Sequence, residues 1–127
     1  MAVYDFEIGA TEIGMVNLEE LTVPVFAPRS TYKQYQVQID LGDLTVRGFG
    51  RPSATWRWGF LTLAQRDQLR EFCAGKSARV YIQTKKRDDT QEYAVFCAVM
   101  IWPEEEEVTA GRVLDIEVRF RDMLEVT

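Results

Sequence analysis

Residues Ser53–Gly75 read SATWRWGFLTLAQRDQLREFCAG. Ala54, Trp56, Trp58 and Phe60 fall on one side of the first half, with Thr55 and Arg57 opposite, the two-residue period of a β-strand. Thr62 then opens a capping box with Gln65, and Leu69, Phe72 and Cys73 form an apolar stripe at helical spacing that Gly75 ends. A strand therefore passes into a short helix at about Leu61 with almost no loop. An aromatic strand face beside an amphipathic helix reads as core, although Trp56, Trp58, Phe60 and Trp102 also suit an aromatic platform for sugars.

Outward from this stretch the pattern is that of strands. Upstream, AVYDFEIG places Tyr4, Phe6 and Ile8 on one side and Asp5 and Glu7 on the other. KQYQVQIDLGDLTVRGFG alternates through Tyr35, Val37, Ile39 and Leu41 to a turn at Gly42-Asp43, a β-hairpin. Between them, residues 9–30 follow no period, and TVPVFAPRS carries two prolines that discourage regular pairing, so the segment reads as an extended arm or long loop. Downstream, ARVYIQT and EYAVFCAVMIWP flank the polar KKRDDTQ as a second hairpin. Its second strand is apolar on both faces, Tyr93, Val95, Cys97, Val99 and Ile101 against Ala94, Phe96, Ala98, Met100 and Trp102. Such a strand is either central and covered twice or exposes one face to a partner. RVLDIEVRFRDM turns Leu114, Ile116, Val118 and Phe120 inward. The expectation is a mainly β (α+β) chain of about six or seven strands and one helix. It forms an antiparallel β-sandwich or partly closed barrel with one flanking α-helix, one domain over residues 1–127 with an irregular arm at about 9–30.

The chain holds 127 residues, 46% apolar and 28% charged, with a net charge of −5. Charge is uneven. Met1–Tyr32 has five acids and one base, Lys33–Pro103 eleven bases and seven acids, and Glu104–Thr127 eight acids and three bases. The acidic total argues against a free-standing nucleic-acid binder, and a basic middle between acidic ends lets copies attract with fixed polarity. No leader-like segment and no apolar run near ~20 residues occurs. Cys73 and Cys97 have no metal or redox spacing and read as buried thiols, so a cytosolic product without membrane partners is expected.

Chemistry is sparse. There is no histidine, which removes Ser-His and Cys-His pairs, the usual imidazole base and the commonest transition-metal ligand. Asp115 and Glu117 share a strand face but alternate with Arg119 and Arg121 as cross-strand charge pairs do. GFGRP, Gly48–Pro52, lacks the third glycine and helix of a dinucleotide loop and reads as a bulge or strand-end turn. Glu104–Glu107 lacks the alternation of a calcium loop and reads as a solvated acidic loop. Lys85, Lys86 and Arg87, followed by Asp88 and Asp89, read as a charged hairpin tip. No catalytic, cofactor or metal residue is assigned, and the expectation is a protein that is not an enzyme.

YQVQIDLGDLTVRGFG, WRWGFLTLAQRDQLREFCAGKSARVYIQT, EYAVFCAVMIWPEEEE and VLDIEVRFRDM, in that order, resemble the tail tube and distal tail proteins of long-tailed bacteriophages over roughly Lys33–Met123. The resemblance implies a β-sandwich with one flanking helix and an arm. It also implies a structural virion protein of the distal tail, baseplate or tail tube, made in the host bacterial cytoplasm. Its partners would be its own copies in a homo-oligomeric ring and other tail proteins, and DNA would pass non-specifically through the lumen. The candidate interface is Pro24, Phe26, Pro28, Phe96, Met100 and Trp102, and the acids for a lumen or surface are Glu104, Glu105, Asp115 and Glu117. The alternative is a free-standing ligand- or carbohydrate-binding β-sandwich, which requires Trp56 and Trp58 to meet solvent.

Overall fold

A computed structural model describes residues 6–33, 37–40, 42, 45–87 and 92–126. The elements are β1 (Glu7–Gly9), β2 (Val16–Asn17), β3 (Arg29–Lys33), β4 (Val37–Asp40), β5 (Val46–Phe49), β6 (Ser53–Thr62), α1 (Leu63–Arg70), β7 (Ser77–Arg87), β8 (Glu92–Ile101), β9 (Glu107–Thr109) and β10 (Arg112–Glu125). Every pairing is antiparallel. The main sheet runs β2-β1-β7-β8-β10-β6-β3 with β9 beside β10, while β4 and β5 form a separate two-stranded ribbon. The sheet curls so that β3 comes against β7, and Tyr32 tilts over Phe96, yet the hydrogen-bonded circuit does not close. The chain is thus mainly β, with one flanking helix. Both expected strand pairs form, but Lys85–Arg87, read as the tip of the second hairpin, continue β7 and pair with β8. Tyr4, Asp5, Tyr35, Leu41, Asp43, Asp88 and Asp89 lie outside the described residues.

The alternation of the strands fills the concave side. Trp56 and Trp58 from β6, Val80 and Ile82 from β7, Phe96 and Met100 from β8, and Val118 and Phe120 from β10 are sealed from solvent. Trp56 stacks edge-on against Phe6, Trp58 and Phe120. The strict alternation read from the sequence fails at one place. On β6 the buried set passes from Trp58 to Leu61, and on β10 from Ile116 to Val113, while the register Trp58↔Ile116 and Leu61↔Val113 is unbroken. Both strands change phase together at Gly59-Phe60 and Leu114-Asp115, where Asp115 has φ 48°. Phe60 consequently faces outward and Leu114 is half-buried, with Val113 taking the core position.

Thr62 caps α1 as its sequence indicates: its Oγ1 accepts from Gln65 N–H and Gln65 Oε1 accepts from Thr62 N–H. The helix is shorter than its apolar stripe. It ends at Arg70, and three-residue turns carry the chain on to Phe72 and Cys73. Leu69 and Cys73 still reach the core. The Arg70 guanidinium braces the turn that follows, donating to the carbonyls of Ala74 and Gly75.

The segment 9–30 is not a free arm. Gly9 packs so tightly on Gly14 and Met15 that a Cβ there would sit 2.8 Å from the Met15 Cα, which brings β2 back onto β1. Asn17 caps a short 3-10 turn over Leu18–Glu20. Leu18, Leu21, Val25 and Pro28 are buried. The backbone between them is held by the helix and by β6. Gln68 Oε1 accepts from Val23 N–H, Gln65 Nε2 donates to the Pro24 carbonyl, and Trp58 Nε1 donates to the Phe26 carbonyl. Prolines that forbid strand pairing are tolerated because side chains supply the hydrogen bonds instead. Leu18→Ala is expected to cost about 2–5 kcal/mol, as Leu69→Ala is, while Ile13→Ala, at a fully exposed position, changes stability by no more than about 0.5 kcal/mol. Thermal and denaturant melts measure this, and an unchanged melt for Leu18→Ala would return the segment to the status of an arm.

Candidate functional site

The same register that fills the concave side lays out the opposite face. Along β8, Val95, Cys97, Val99 and Ile101 form a half-buried apolar stripe. Val99 lies between Arg79 of β7 and Arg121 of β10, and Ile101 between Ser77 and Arg119. Beyond β10, Arg57 of β6 stands opposite Glu117 on one side and Arg29 of β3 on the other. The result is an apolar strip with exposed cations on both flanks, on a chain whose net charge is −5.

One carboxylate organises part of this face. Glu117 accepts from Arg57 Nη2 at 2.5 Å and from Arg119 Nε at 3.1 Å, and the hydrogen bonds from Arg57 and then Arg119 hold its carboxyl below the usual carboxylate range. Further along, Lys33, Arg51, Arg119 and Arg121 surround a hollow of about 180 Å³ with Ser53, Thr55 and Asp122. Asp122 sits at φ 51° in a bulge where β10 slips one residue against β8 between Arg121 and Leu124. Lys33, Arg51 and Arg121 have no carboxylate partner among the described residues. Nearby, a hollow of about 470 Å³ is lined by Lys76, Ile101, Trp102, Pro103, Glu104, Glu105, Glu117 and Arg119.

The sequence-derived interface set divides. Pro24 and Phe26 are exposed, and Phe26 packs on the outward Phe60, whose ring carries the Arg112 guanidinium at 5.0 Å. Phe96, Met100, Trp102 and Pro28 are buried within the chain, so they are not available to a partner. Both faces of β8 are apolar, and the side with Phe96, Ala98 and Met100 took the core; the opposite side, with Val95, Cys97, Val99 and Ile101, is half-buried. Of the acids, Glu104, Glu105 and Asp115 are exposed, whereas Glu117 is held between two arginines and does not form part of an acidic wall. The loop 104–107 is not wholly solvated either. Glu106 accepts from Arg66 at 2.6 Å and from Trp102 Nε1 at 2.9 Å, tying α1 to the end of β8.

Trp56 and Trp58 are each 1% exposed, which removes them as a sugar platform. Gly50, at φ 88°, makes GFGRP a strand-end turn. Among the described residues no three His, Cys, Asp or Glu side chains gather to hold a metal, and no helix is long and apolar enough to cross a membrane. The cationic flank escaped the sequence reading because its members come from β3, β6, β7 and β10; only the Arg119-Arg121 alternation was visible in one segment. Set against known proteins, the chain matches no family model, no curated protein and no solved structure.

Two measurements follow from this geometry. Burial pushes the Cys73 thiol up, whereas Cys97 lies half-exposed in the stripe with Arg79 Nη1 donating to its Sγ at 3.5 Å. A thiol-selective reagent on the native protein is expected to label Cys97 and to reach Cys73 only after unfolding; equal rates would contradict the assignment of faces. For Glu117 the folded pKa is depressed, so its stabilisation is present above the unfolded value of about 4.3 and is lost as pH falls through the lower folded one. Glu117→Gln is expected to flatten that acid limb of the stability profile and, as a surface ion pair, to cost no more than about 1 kcal/mol at pH 7. An unchanged acid limb would show that the arginines do not hold the carboxylate.

Proposed function

We propose that this chain is a structural subunit of a bacteriophage tail, made in the bacterial cytoplasm and built into the distal tail, baseplate or tail tube as a ring of its own copies. The observation that carries the reading is the outer sheet face. An apolar strip with arginines on its flanks has the anatomy of a protein interface, in which apolar contact supplies affinity and the charged rim sets orientation. Its apolar residues are half-buried within the chain.

Two features of the fold support assembly. Strand β2 ends the main sheet with one side unpaired among the described residues, and an unpaired edge is a template for another chain. The β4–β5 ribbon pairs only with itself there, and Ile39 on it is exposed. A two-stranded ribbon has marginal stability alone and gains it by packing on something else. This ribbon, rather than residues 9–30, would reach a neighbouring copy. For a lumen that DNA would traverse, Asp115 is an exposed acid and Glu117 is not.

The test is negative-stain microscopy of the purified protein across a concentration series, paired with sedimentation. Closed rings or stacked discs are the expected result. A strictly monomeric species at every concentration, together with tail particles that lack the protein, would overturn the reading.

A further inference from the structure

The hollow between β3, β6 and β10 concentrates more positive charge than its surroundings balance. Lys33, Arg51 and Arg121 converge on it, Ser53 and Thr55 offer hydroxyls, and Arg119 stands at its border already sharing Glu117 with Arg57. Asp122 is the lone acid in its lining. Like charges held this close repel one another, and an anion entering the site relieves that repulsion while accepting hydrogen bonds from the guanidinium forks. At about 180 Å³ the hollow takes one or two carboxylates, not a bulky ligand.

We infer that its ligand is the carboxylate pair Glu104 and Glu105 of a second copy of this chain. The inference rests on the assembly reading above and names the contact that would carry it. Three observations favour this occupant. Glu104 and Glu105 are exposed, and Glu104 makes only a solvated 3.5 Å contact with Lys76. They belong to a stretch with a surplus of acids, Glu104–Thr127 having eight acids against three bases. They also lie beside the cationic hollow on the same face, since Arg119 lines both it and the larger depression that Glu104 and Glu105 border. With the acids just past the end of β8 and the bases at β3, β6 and β10, one copy can set its acids over the bases of the next, the head-to-tail contact that a ring requires. A nucleic acid presents phosphates to the same groups, but it would approach a protein of net charge −5, which opposes association over its whole surface.

Charge exchange tests the contact in the full chain. The variants are Lys33→Glu with Arg121→Glu, and Glu104→Lys with Glu105→Lys. All four positions are exposed, and melting curves check that each variant folds. Sedimentation velocity at about 0.05 M and about 0.5 M salt is expected to show wild-type association that weakens with salt, and a loss of at least about tenfold in affinity for each variant alone. An equimolar mixture of the two variants is expected to associate again. Variants that associate like wild type, or a mixture that stays monomeric, would overturn the inference. So would tight binding of a single-stranded 20-mer oligonucleotide that is lost in Lys33→Glu with Arg121→Glu while self-association is unchanged, because the hollow would then be a phosphate site. Rings that form regardless of the exchanges would sink this contact and leave the tail reading standing. Rescue in the mixture without rings or tail particles would do the reverse.

Discussion

Two indole N–H groups, on Trp56 and Trp58, are shut away from water and must find acceptors inside the protein. An unsatisfied buried donor costs about 1–3 kcal/mol, and each tryptophan answers that demand with a different partner. Trp56 donates to the Thr84 hydroxyl of β7, itself wholly buried, and Trp58 donates to the Phe26 carbonyl of the segment that crosses the helix. Strand β6 is thereby tied across the core to β7 and to residues 18–28. The third tryptophan repeats the device with Glu106, which also holds Arg66 of the helix. Among the described residues no buried side-chain polar atom is left without a partner.

Satisfying those groups on the concave side decides what remains outside. With Trp56, Trp58, Phe96 and Phe120 filling the interior, Val95, Cys97, Val99 and Ile101 of β8 and the arginines of its neighbours are turned outward. The phase change shared by β6 and β10 is part of the same solution. A bulge in one strand alone would have shifted the register, whereas matched departures keep Leu61 opposite Val113 and let both stay buried as the pair approaches the helix. Phe60 is the residue displaced by it, and it stacks with Phe26 and Arg112 on the surface.

Where a local rule governed the structure, the sequence was readable. Thr62 and Gln65 form the capping box that their spacing announces, and the strands of both hairpins pair as their alternation indicates. Where partners distant in sequence decided the outcome, it was not. The prolines at 24 and 28 looked incompatible with a packed segment because the hydrogen bonds that hold it come from Gln65, Gln68 and Trp58. A strand apolar on both sides does not say which side is covered; the neighbours in the sheet do, and they chose Phe96 and Met100 for the interior. The cationic face needed four strands to be paired before its members met. The site proposed for assembly is therefore almost entirely a product of tertiary pairing.

Its logic is that the acids of one copy meet the bases of the next. Zero-length carbodiimide coupling of a mixture of isotopically heavy and light protein reads that arrangement directly, because it joins a lysine to a carboxylate only at contact and marks bonds between copies by mixed mass. The account predicts mixed-mass peptides joining Lys33 to Glu104 or Glu105, increasing with protein concentration and suppressed by salt. Cross-links confined to single copies, such as Lys76 to Glu104 or Lys86 to Glu125, with no mixed-mass product at any concentration, would contradict it.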